Sequence, residues 1–160
     1  MRLSFAATVL LLCFATASLD AADVKFVRVW PNFRTAESFM RLSEYFTGKE
    51  NPGRKQTILR TEPEVRMGFY FLARLKNAGE ALNGAKLELH LITPLSPRPV
   101  VYTFPADVPK GNYVYNLGLT GKDWPDPEMN PVAWRLVLVA SDGQEIASEQ
   151  SYLWSKPDKT

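Results

Sequence analysis

Val132-Ala-Trp-Arg-Leu-Val-Leu-Val-Ala140, Ser141-Asp-Gly-Gln144 and Glu145-Ile-Ala-Ser-Glu-Gln-Ser-Tyr-Leu-Trp154 form the stretch on which the fold turns. Asp142-Gly143 sits between two strand-like runs. Asp tolerates a positive φ and Gly adopts one without steric cost, so the chain can reverse there within two residues. The first arm is apolar except for Arg135, which predicts a strand covered on both faces in the middle of a sheet. The second arm is mixed and suits a position nearer an edge.

Working back from this hairpin, the chain offers further runs at strand period. Tyr113, Tyr115, Leu117 and Leu119 alternate, and the prolines at 125, 127 and 131 stiffen the loop from Gly121 to Pro131. Val100–Phe104 reads as a short strand between a proline-bearing break at 94–99 and a loop at 105–112. Ala85, Leu87, Leu89 and Leu91 point one way, and Lys86, Glu88 and His90 the other. Val65, Met67, Phe69, Phe71, Ala73 and Leu75 alternate without interruption. Arg66, Gly68, Tyr70, Arg74 and Lys76 stand opposite, as on a half-buried strand with one wet face. Gln56–Arg60 is a further short strand. If the chain stays extended beyond it, Arg60, Glu62, Glu64 and Arg66 make a charged, solvated edge. Val24–Trp30 opens the series, with Val24, Phe26 and Trp30 on one parity, and Pro31 ends it.

One segment changes period. Phe39, Leu42 and Phe46 fall at helical spacing, with Thr35 to cap the start, Glu37 in the first turn and Gly48 at the stop. This predicts a short helix over Thr35–Phe46; a strand is the alternative, since the segment is short and rich in aromatic residues. Asn51-Pro52-Gly53 is a turn.

The N-terminus has a different character. Arg2, the apolar run Leu3–Phe14 and the small residues Ala15-Thr-Ala17 have the layout of a cleavable secretory leader, residues 1–17, with cleavage possible as late as 22. The apolar run is short for a membrane anchor, which needs about 20 residues. Leu12 before Cys13 is wrong for lipoprotein processing. Cleavage would remove Cys13, the one cysteine, and the domain would stand on its apolar core without disulfides. Residues 23–154 are then expected to form a single β domain, with 155–160 as a polar tail. Losing Arg2 leaves 18 basic against 17 acidic residues, a balance of +1. Such a chain makes no case for nucleic acid, and no second apolar run predicts a span in the mature protein.

Seven to eight short strands with turns between them predict an all-β, antiparallel sandwich with one short N-terminal helix. From Val65 onward the order resembles an immunoglobulin or fibronectin type III sandwich. The resemblance is carried by Tyr115-Asn-Leu-Gly-Leu-Thr-Gly121, a crossing loop, Trp134-Arg-Leu-Val-Leu-Val-Ala140 and the Asp142-Gly143 turn. It covers about 90 residues as a pattern. The antibody-type cysteine pair is absent, the crossing loop is long, and the helix is an addition. Shared architecture would not transfer a function.

Few residues offer chemistry. His90 is the one histidine, two residues after Glu88, with no motif around it, so no catalytic residue is assigned. Asp123, Asp126, Glu128 and Asn130 group oxygen atoms that can ligate Ca²⁺, but without the spacing or turn glycine of an EF-hand, so no metal or cofactor is assigned. Nothing selects a pair of carboxylates for glycoside hydrolysis. Leu117-Gly-Leu-Thr-Gly121 lacks the basic residue of a phosphate loop, and its two glycines read as turn geometry.

The aromatics are more informative. Trp30, Trp134 and Trp154 lie in strand-like runs and are expected in the core. Trp124 lies in a polar, proline-stiffened loop. There it either folds back to plug one end of the sandwich or presents its ring to a ligand, with Tyr70, Asp123 and Asp126 beside it. The resulting expectation is a secreted or periplasmic, non-catalytic module. A protein partner leads, and an envelope or extracellular polysaccharide bound through loop aromatics is the alternative.

Overall fold

The computed structural model describes residues 23–39 and 56–155. The expected leader, positions 40–46 of the expected helix, the Asn51-Pro-Gly turn and the end of the tail lie outside them. Eight strands form two four-stranded sheets. They are β1 (Val24–Arg34), β2 (Gln56–Arg60), β3 (Gly68–Asn77), β4 (Leu82–Thr93), β5 (Ser96–Val108), β6 (Gly111–Thr120), β7 (Ala133–Val139) and β8 (Glu145–Gln150). Sheet A runs β1-β3-β6-β2 and sheet B runs β5-β4-β7-β8.

Sheet B is antiparallel throughout and is built around the hairpin with which the sequence reading began. β7 is central and its apolar residues are buried, while β8 is the edge. Gly143 has φ +89°, and the Asp142 side chain accepts the Gln144 N–H at 2.9 Å. Arg135, the charge in the arm, faces out and donates to both carboxylate oxygens of Glu145 at 2.7 and 2.9 Å. Leu87, Leu89 and Leu91 of β4 meet Leu136 and Leu138 in the core. From sheet A come Phe69, Phe71, Ala73, Leu75, Tyr115, Leu117 and Leu119. Trp134 packs edge-on against Phe71, with ring centroids 5.7 Å apart.

Three expectations are corrected. Sheet A is mixed, because β2 pairs with β6 in parallel. A parallel neighbour cannot be joined by a tight turn, and β2 reaches β6 only by way of three intervening strands. The break is confined to a turn at 94–95, and residues 96–99 and 105–108 instead belong to one long strand, β5, containing Pro97, Pro99 and Pro105. It lies at the edge of sheet B, where an absent N–H breaks no ladder on the free side. Pro31 likewise does not end β1, which is also an edge strand. Of the expected helix only 35–39 are described; they hold a 3-10 turn, Glu37–Phe39, with the Ser38 hydroxyl donating to the Thr35 carbonyl at 2.7 Å.

A bulge in β1 changes which residues face the core. The register with β3 shifts between Phe26 and Arg28, so Val27 is 49% exposed and the parity inverts beyond it. Val24 and Phe26 pack inward before the bulge, and Val29 and Phe33 after it. Trp30 pairs with Leu72 and is turned to the outer face instead of the core.

Three phenols are held above their ordinary range, chiefly by burial. Tyr115 is the strongest case, with its hydroxyl donating to the Asp107 carbonyl, and Tyr70 and Tyr102 follow. An unfolded phenol ionises near pH 10. Above that pH the unfolded state binds fewer protons than the native state, so stability should be fully present below pH about 10 and fall as pH rises further. Denaturant midpoints at pH 8 and pH 11 check this. Tyr115→Phe should lose about 1 kcal/mol at pH 8 and show a smaller alkaline decline.

Candidate functional site

The four residues singled out in the sequence do not come together. Trp124 ends the 3-10 turn Gly121–Asp123, is 4% exposed, and lies over Phe69 with ring centroids 4.5 Å apart. The plug reading of this residue describes its position; its ring is not presented to solvent. Its indole N–H meets no acceptor among the described residues. Asp126 spends a side-chain oxygen on the Glu128 N–H at 2.9 Å, as a turn residue does. Asp123 lies near enough to Tyr102 to raise its pKa. Among the described residues no three acidic, histidine or cysteine side chains gather as metal ligands would.

Tyr70 is on the outer face of sheet A, as its parity requires, but the expected wet face is covered there. It is 1% exposed. Its ring lies flat over Gly118 of the neighbouring strand, where a Cβ would come within 2.4 Å of it. Its hydroxyl accepts from Arg60 Nε at 2.7 Å and donates to the Arg66 carbonyl at 2.6 Å. The segment after β2 therefore folds over the sheet rather than extending as a charged edge. Thr61, Glu62 and Thr120 lock it down, with the Glu62 N–H donating to Thr120 Oγ1 at 2.9 Å and the Thr120 N–H to Thr61 Oγ1 at 3.0 Å.

The rest of this outer face is cationic. The register places Lys25, Arg28 and Arg34 of β1, Arg74 and Lys76 of β3 and Arg60 of β2 on it, and no acidic residue shares those outward positions. Trp30 stands among them, with Arg28 Cζ 4.5 Å and Arg74 Cζ 5.6 Å from its ring centroid. Such stacking holds a guanidinium by cation–π attraction and leaves its N–H donors at the edge. Trp30, Asn32, Arg34, Tyr70, Leu72 and Arg74 line a concavity of about 300 Å³. Sequence reasoning missed this face because alternation assigned Trp30 to the core; the bulge is what turns it outward.

A second surface lies on the opposite edge. β1 packs along β8 and closes one side of the sandwich. Between β2 and β5 the described residues leave the other side open as two depressions, of about 580 and 610 Å³, that share Thr103 and Pro105 as walls. Apolar side chains stand exposed at its rims, Ile58 at 37% on the outer face of sheet A and Val101 at 48% on the outer face of sheet B. His90 is not part of either surface. It sits on the outer face of sheet B, 3.6 Å from Glu88 and edge-on to Trp154 at 6.2 Å. Trp154 thus lies in the turn after β8 and packs on the outside, not in the core.

The class this defines is an all-β, sandwich-like protein of two four-stranded sheets. No protein-family model and no curated protein matches the chain. Among the described residues no helix is long and apolar enough to cross a membrane.

Proposed function

We propose that the chain is a non-catalytic binding module, exported by its N-terminal leader to the periplasm or beyond the cell, whose partner is a protein docked in the groove between β2 and β5. The single observation behind this reading is the pair of strand edges that, among the described residues, face each other unclosed across an apolar groove. An incoming extended segment gains affinity from main-chain hydrogen bonds to a free edge and specificity from pockets beside it. The two edges are not equivalent. β5 carries Pro97, Pro99 and Pro105, the kind of guard that blunts strand addition. β2, Gln56-Thr-Ile-Leu-Arg60, has no proline and is the edge for pairing, with Val101 and Tyr102 of β5 as the apolar wall.

We also read the sandwich as immunoglobulin-like. Setting β2 aside, β1, β3 and β6 share one sheet and β4, β7 and β8 the other, as strands A, B, E and C, F, G do in that fold. β5 departs from it by joining the second group.

The docking reading is tested with a photo-crosslinking side chain at position 101 in the native host. Wild type should yield a discrete crosslinked protein, and Ile58→Asp should reduce its yield at least tenfold while leaving the thermal midpoint unchanged. A crosslink that persists with Ile58→Asp, or none in any growth condition, would refute the groove as the docking site. N-terminal sequencing of the exported protein should begin at Ser18.

A further inference from the structure

We infer that the outer face of β1 and β3 is a second binding site, for the acidic sugar of an anionic polysaccharide. The site is the concavity bounded by Trp30, Asn32, Leu72 and Arg74, with Arg28 beside it. It goes beyond the docking groove and is independent of it. β1 and β2 are opposite edges of sheet A.

Charge selects the ligand class. Lys25, Arg28, Arg74 and Lys76 form two cationic cross-strand neighbourhoods in succession along β1 and β3. Successive outward positions on a strand lie about 7 Å apart, so these positive groups line a track rather than a point. Like charges placed side by side repel, and such a face is unfavourable unless something anionic completes it. Among the described residues Arg28 and Arg74 form no ion pair that would do so.

The remaining lining narrows the class. Both guanidinium groups lie over the indole of Trp30, which restricts their motion, and a guanidinium so held keeps N–H donors that can take a carboxylate in two hydrogen bonds. Trp30 and Leu72 are half-buried and give an apolar floor, and Asn32 is exposed with an amide free to exchange bonds with hydroxyls. An apolar floor, an amide and a guanidinium fork together match a ring bearing one carboxylate and several hydroxyls. A phosphate polymer would use the charges but leave the indole, Leu72 and the amide without a role. At about 300 Å³ the concavity is at the small end of ligand sites and suits one such ring, with the polymer continuing toward Lys25 and Lys76.

Affinity electrophoresis of the whole protein through gels containing polygalacturonate tests this. Heparin, poly-glutamate and neutral dextran serve as comparison gels. Wild type should be retarded by polygalacturonate and not by dextran. Trp30→Ala and Arg74→Gln should each weaken that retardation at least tenfold, and Trp30→Phe should keep most of it. Val101→Asp, at the groove wall on β5 of the other sheet, should leave it unchanged, so that this site and the docking surface stand or fall separately. Circular dichroism confirms that each variant is folded. The inference is overturned by an absence of retardation in polygalacturonate. Retardation that is equal in heparin and poly-glutamate and survives Trp30→Ala would also overturn it, because it would reflect net charge alone.

Discussion

Trp124→Ala should lower the unfolding free energy by about 3 to 5 kcal/mol, the range for removing a large buried aromatic. Trp124 is enclosed and lies against Phe69, which in turn is 5.5 Å from Phe71, so the cavity would open at the end of the main core. A domain of this size has about 5 to 15 kcal/mol in total, so the variant should melt at least roughly 10 °C lower. Trp124→Phe should recover most of the loss. It keeps a ring against Phe69 and removes an indole N–H that meets no acceptor among the described residues, a group that costs about 1 to 3 kcal/mol when left unsatisfied. Urea midpoints of the three proteins measure this. An unchanged midpoint for Trp124→Ala would mean that the ring is outside the core. Retardation of Trp124→Ala by polysaccharide should match wild type, because the sugar site proposed above is on the outer face of sheet A.

The second large effect is expected at Gly118. Glycine in the middle of a strand is destabilising in its own right, by about 0.5 to 1 kcal/mol against alanine, so an alanine there would normally help. Here the sign reverses. An added Cβ would stand 2.4 Å from Tyr70 Cε1 and 2.7 Å from its Cζ. The ring cannot retreat freely, because its hydroxyl is tied to Arg60 and to the Arg66 carbonyl. Gly118→Ala should therefore cost about 1 to 3 kcal/mol, as overpacking does. In a Tyr70→Ala background the same substitution should become neutral or stabilising. This double-mutant cycle isolates the contact from any general effect on the strand. Additive effects in the cycle would show that the glycine is there for another reason.

Gly118 also shows where alternation runs out. The sequence offers Gly118 and Gly121 as a pair of turn residues, and Gly121, at φ +58°, is one. Gly118 is in an extended strand and is glycine for the sake of a side chain on the next strand. Only the register Tyr70↔Gly118 reveals that relation.

The local elements were legible because their signals are local. Period-two apolarity marked β3, β4 and β6, a near-continuous apolar run marked β7, and the Asp142-Gly143 turn set the last hairpin, since strand pleat and positive φ are properties of a few neighbouring residues. Gln56–Arg60 was read to its ends for the same reason. What the sequence by itself determined, then, is that the chain is all-β, which residues of most strands face the core, and where the final reversal lies. The tertiary structure alone decided the parallel pairing of β2, the edge positions that admit prolines, the bulge that turns Trp30 outward and the cover over Tyr70. Each of these depends on which strand lies beside which. That choice is made by long-range burial and leaves no period in the chain. The cationic face follows from the same cause: Arg74 is far in sequence from Arg28 and Trp30, and only antiparallel pairing across a shifted register places both arginines over one indole.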